Sequence, residues 1–168
     1  PSEWVALSNG QAALVEESDE GRRYAFAETE PIPTYLFTFV AGAFETVTAE
    51  RAGRTLTMYH RESASAQVDR NAPEIFNLHA GALDWLEDYT AHPYPFGKFD
   101  FVLIPSFQFG GMEHPGAIHY RASSLMLDKD VPQSRLLGRA SLIAHETAHM
   151  WFGDLVTMDW FNDVWTKE

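Results

Sequence analysis

Hydrophobic and polar positions change their rhythm once along the chain. Up to about residue 62 no helical period is visible. The apolar positions fall in short β-rich runs: Tyr35-Leu36-Phe37-Thr38-Phe39-Val40, Ala43-Phe44-Glu45-Thr46-Val47-Thr48 and Thr55-Leu56-Thr57-Met58-Tyr59. Pro31-Ile32-Pro33 interrupts what precedes them, and Gly42 and Gly53 mark turns or bulges. The polar stretch Arg61–Gln67 is the expected boundary between two regions. Beyond it Asn71 and Glu74 stand in the spacing of a capping box, which predicts a helix starting there. Ile75, Leu78, His79, Ala82, Leu86 and Tyr89 then form one stripe at spacings of three and four, ending before the turn-rich His92–Gly97. Phe99–Ile104 and Leu125–Leu127 are short apolar runs that predict buried strands. A second helix is expected from Pro132-Gln133-Ser134, with Leu136, Leu137, Ala140, Ile143, Ala144, Ala148, Trp151 and Phe152 inward and Gly153 just past its end. A third is expected around Trp160–Trp165. Strands followed by helices give an α+β chain.

Composition narrows what such a chain does. At 168 residues with 45% hydrophobic positions it is large enough to bury a core, which excludes a disordered or fibrous polymer. A formal charge of −12 repels phosphate backbones, so nucleic acid is an unfavourable partner. The absence of cysteine removes thiolate nucleophiles, iron–sulfur ligation and disulfides, and fits a reducing or an oxidising compartment equally. No apolar stretch approaches the roughly 20 residues of a membrane-spanning helix.

The chemistry concentrates in His145-Glu146-Thr147-Ala148-His149, inside the second helix. Residues four apart share a helical face, so both imidazoles reach one ion, while Glu146 is offset by roughly 100° and faces water at that ion. The flanks Ser141–Ala144 and Met150–Gly153 are largely apolar, and a buried His/Glu cluster calls for a compensating partner such as a metal. Glu168 follows His149 after eighteen intervening residues and completes a three-ligand set suited to Zn2+ with an open position. Upstream, Gly110-Gly111-Met112-Glu113-His114 places a carboxylate in a Gly-rich loop, with glycines that let another backbone come close. His114 is placed as a pocket wall beside Glu113, whereas His60 and His79 sit in strand and helix patterns as packed or surface residues.

With that spacing, the His-Glu-x-x-His pattern and distant Glu resemble the gluzincin metallopeptidases, and the eighteen-residue gap is similar to that of the M1 aminopeptidase family. Gly110–His114 resembles the family's Gly-x-Met-Glu-Asn motif, departing from it at His114. Pro93–Asp100, Gly153–Thr157 and Trp165–Glu168 also look like this family, so the likeness is strong over residues 71–168 and looser before them. The resemblance implies the end of an all-β N-terminal domain over residues 1–66, followed over 67–168 by the first half of a thermolysin-like catalytic domain. It implies a zinc aminopeptidase acting on peptides with a free N-terminus, in which His145, His149 and Glu168 bind the metal, Glu146 is the general base, and Gly110, Gly111, Met112, Glu113 and His114 meet the substrate. Two other functions come with the family: a leukotriene A4 hydrolase-like epoxide hydrolase, and a non-catalytic scaffold, against which the intact ligand set argues. The family's oxyanion tyrosine and closing helical lobe have no counterpart between Pro1 and Glu168, so the chain is expected to be a segment of a larger enzyme and inactive alone.

Overall fold

A computed structural model describes residues 3–168. β1 (Val5–Ser8) pairs antiparallel with β4 (Phe39–Gly42), and β2 (Ala12–Ser18) with β3 (Gly21–Phe26) forms a separate hairpin. The main sheet holds five strands: β5 (Glu45–Arg51), β6 (Arg54–His60), β7 (Phe99–Ile104), β8 (Gly111–Met112) and β9 (Ile118–Arg121), in the order β5-β6-β7-β9-β8. Ala52 and Gly53, with φ of 49° and 76°, close the β5–β6 hairpin in the left-handed conformation that tight hairpins demand. β6, β7 and β9 run parallel, and β8 returns antiparallel along the edge.

The β6-to-β7 crossover is α1 (Ser65–Thr90); α2 (Ala122–Leu125) and α3 (Gln133–Ala148) follow β9. Phe76 and Leu83 of α1, Phe101 and Ile118 of the sheet and Ile143 of α3 pack into one core, each at most 2% exposed. Leu7, Val102 and Ala117 form a second, smaller cluster joined by Val40 and Tyr59, so the β1–β4 ribbon covers the other face of the sheet. β7 lies between these two layers, which is why Phe99–Leu103 is buried at every position and its sequence is a continuous run rather than an alternation. Among the described residues no helix is long and apolar enough to cross a membrane.

Several expectations shift. α1 begins at Ser65 and runs across residue 66, and β5 and β6 belong to the same sheet as β7 through the parallel pairing Leu56↔Phe99 to Tyr59↔Val102. Asn71 caps nothing. It is buried within α1, donating to Leu127 O (2.9 Å) and accepting from Leu127 N (3.1 Å) and Arg139 Nη1 (2.9 Å). That clamp holds Leu127 outside any strand, and α2 ends within the run, at Leu125, where a strand was expected. Tyr35 and Leu36 lie in a 3-10 turn, Thr34–Leu36, directly after Pro33, and β4 starts only at Phe39. On α3 the buried stripe is Arg139, Ile143, Glu146 and Thr147, whereas Leu136, Leu137, Ala144 and Phe152 face outward. Tyr89 likewise points out, stacked on Trp85 at 4.9 Å. The expected third helix is a 3-10 stretch, Phe161–Lys167, with no buried residue.

Candidate metal and amine-binding site

The last turn of α3 carries His145 and Glu146, and His149 extends it as the C-cap with helical backbone. Ile143 and Thr147 anchor this end in the core, and Thr147 Oγ1 donates to Ile143 O at 2.7 Å. The four-residue spacing brings the Nε2 atoms of His145 and His149 to 3.1 Å. Glu168 Oε2 lies 3.6 Å from the first and 3.9 Å from the second. At that distance the two nitrogens either share a proton as an N–H···N hydrogen bond or turn both lone pairs to one cation. Tetrahedral zinc, with Zn–N bonds of about 2.0–2.1 Å, separates ligand atoms by about 3.3–3.4 Å, so the three groups fit such an ion. His149 Nδ1 donates to Phe152 O at 3.0 Å, which leaves Nε2 as the lone-pair nitrogen. Burial holds His149 below the ordinary imidazole pKa despite that bond, keeping it neutral and ready to ligate.

Glu146 is 4% exposed and pushed up to about 8, first by burial and then by the charges of Glu113 and Glu168. Its carboxylate rests on Gly111, where any β-carbon would collide with Oε1, so this glycine is required by close approach. β8 places Gly111 and Met112 on the open edge of the sheet, next to the cavity. Glu113 follows, buried, and accepts from Lys167 Nζ at 2.6 Å. Burial alone would raise the Glu113 pKa, but the Lys167 bond, its own backbone N–H and nearby His149 bring it below the usual carboxylate value. Lys167 also donates to Glu168 Oε1 at 2.7 Å; burial works against its charge, and the two carboxylates outweigh it.

These groups share a cavity of about 310 Å³. Gly111, Met112, Glu113, His145, Glu146, His149 and Glu168 line it, and Gly110 and His114 do not. Gly110 backs onto Leu142. The His114 ring is turned away, its Nδ1 bonded to Leu36 O at 2.9 Å and its face 4.6 Å from His119. Together with Asn9, whose Nδ2 donates to Leu36 O (3.0 Å) and Pro115 O (2.9 Å), His114 fastens the Thr34–Leu36 turn to the Glu113 loop. That attachment delivers Tyr35 to the cavity wall, edge-on to Phe161 at 5.5 Å and with Lys167 Nζ 5.8 Å from its ring centre. Tyr35 and Lys167 escaped the sequence reading. Lys167 left one signal, as the sole Lys or Arg after Arg139 in a stretch holding the acids of the site. Behind the cavity Asp154 is buried, neither oxygen hydrogen-bonded among the described residues, and burial followed by Glu113 pushes it up to about 9, so it is protonated at neutral pH.

Known proteins share this arrangement of sequence. The Peptidase family M1 domain matches residues 74–168. Glutamyl aminopeptidase of Sus scrofa is 36% identical over 171 residues, covering 100% of this chain and 18% of that protein. Aminopeptidase N of Streptomyces lividans is 35% identical over 172 residues, and Aminopeptidase M1 of Arabidopsis thaliana 36% over 174, each covering 100% of this chain and 19% of the relative. The chain thus spans about a fifth of the length of these relatives.

Proposed function

The chain belongs to peptidase family M1, and from that premise we propose that it carries the metal-binding and amine-recognising residues of a zinc aminopeptidase, a hydrolase that releases the N-terminal residue of peptides. The observation that carries this reading is the convergence of the His145 and His149 nitrogens and a Glu168 oxygen on one point, with Glu146 and Glu113 on the same cavity. A reading as a non-catalytic scaffold gains nothing from a site in which all five groups meet. The β1–β4 ribbon is read as the end of a preceding β domain, and the unit from β5 onward as the opening of a thermolysin-like catalytic domain.

His145, His149 and Glu168 would hold the zinc. When bound, zinc polarises the scissile carbonyl and activates the attacking water. Glu113 takes the substrate's α-ammonium through a charge-assisted hydrogen bond and so measures one residue from the chain end. The open edge of β8 at Gly111 and Met112 receives the substrate backbone as an added strand. Glu146 accepts the proton of the water whose oxygen attacks the carbonyl carbon, and delivers it to the departing amine nitrogen as the C–N bond breaks.

The amine role is tested in the whole enzyme carrying this chain. Glu113→Ala is expected to lower kcat/KM on free-amine peptides far more than on N-acetylated ones. Equal losses on both, or a wild-type preference for blocked N-termini, contradict the assignment.

A further inference from the structure

None of Phe161–Lys167 belongs to the hydrophobic core of this chain. What does reach the interior is the Lys167 side chain, 8% exposed against 50% for Glu168. Its stem runs over Gly153, where a β-carbon would stand 3.2 Å from Lys167 Cδ and 3.2 Å from His149 Nδ1. At the end of that path the ammonium is shared between Glu168 Oε1 (2.7 Å) and Glu113 Oε1 (2.6 Å), above the Tyr35 ring. Glu168 gives one oxygen to Lys167 and turns Oε2 toward the two imidazoles. Glu113 gives Oε1 to the same ammonium and lines the same cavity.

We propose that Lys167 is a positioning residue that joins the two ends of the site. Its ammonium aims Glu168 at the zinc and Glu113 at the substrate's ammonium, so that metal binding and amine recognition hang on one anchor. This rests on the zinc aminopeptidase reading and adds a residue to it. A ligating carboxylate is oriented by the hydrogen bond its outer oxygen accepts, and removing such a partner typically costs ~10–100-fold in metal affinity. The ammonium also offsets the repulsion that Glu113 and Glu168 would exert on one another across the cavity.

The test is zinc affinity of the chain, measured by competition with a chromophoric chelator. Lys167→Met keeps the stem and deletes the charge, and is expected to weaken zinc by ~10–100-fold, while Lys167→Arg recovers most of the loss. Glu113→Gln is expected to weaken zinc in the wild-type background, because it frees one end of the anchor, and to have no further effect once Lys167 is Met. A Lys167→Met protein that binds zinc within about twofold of wild type, or a Glu113→Gln effect of equal size in both backgrounds, overturns the proposal. Circular dichroism checks that each variant is folded, and Lys167→Gln replaces Lys167→Met should the latter unfold. Zinc binding that is indifferent to His149→Ala would sink the metal site itself. Binding that needs His149 but ignores Lys167 refutes this inference alone.

Discussion

The two halves of the site are built by different means. His145, Glu146 and His149 stand on the end of a helix whose neighbours Ile143 and Thr147 are completely buried, and Arg139 one turn earlier is locked to Asn71. Glu168 stands on a 3-10 stretch whose Trp160 and Trp165 are 68% and 73% exposed. The helix half is positioned by core packing, which does not depend on anything in the cavity. The other half is held by polar contacts, namely Lys167 with its two carboxylates, and by the edge contact of Phe161 on Tyr35. The difference teaches that, within this chain, the two proposed imidazole ligands and the proposed base rest on core packing, while the contacts of the proposed third ligand are polar.

Changes in each half should therefore read out differently. The largest effect belongs to Glu146→Gln: turnover of the whole enzyme is expected to fall by ~10²–10⁴, with zinc content unchanged, because the amide keeps the shape and loses the basicity. Retention of most of the wild-type kcat would remove Glu146 from the base role. Next comes stability under denaturant. Ile143→Ala is expected to cost about 2–5 kcal/mol by leaving a cavity under the helix half. Trp165→Ala, on the half that buries nothing, is expected to stay within about 0.5 kcal/mol of wild type. Similar losses for the two would erase the contrast.

A further effect is expected with pH, and it belongs to the packed core. Burial pushes His79 down to about 4, and burial together with His114 pushes His119 down to about 3. Both lie below the ordinary imidazole value of 6.5, so the unfolded chain takes up protons first as the solution is acidified. Stability is full above about pH 6.5 and falls as pH drops toward about 4, by at most about 1.4 kcal/mol per pH unit for each group. Denaturant midpoints at pH 7 and pH 5 measure it, and His79→Gln should flatten the dependence. A midpoint that does not move between those values contradicts the burial argument.

What could be read in the sequence was local. The two imidazoles four residues apart, the apolar run of β7 and the Glu113 loop each carry their meaning within a few residues. The misses all involve contacts across long separations. Asn71 has the chemistry of a cap, and only the clamp on Leu127 and Arg139 reveals why it sits inside α1. On α3 the polar Arg139 and Glu146 go inward while Leu136 and Leu137 go outward, so an apolar stripe misjudges the buried face. The parallel pairing of β6 with β7 bridges the whole of α1, a separation that no local pattern spans. Tyr35 reaches the cavity only because Asn9 and His114 tie its turn to the Glu113 loop, and no motif announces that attachment.

Zinc content after reconstitution and gel filtration tests the central claim most directly. The wild-type chain should retain one zinc ion, and His149→Ala and Glu168→Gln should each lose most of it, the first more completely than the second because its ligand is the preorganised one. A wild-type chain that emerges with only traces of zinc, or variants that hold as much as wild type, would contradict a metal site built from His145, His149 and Glu168.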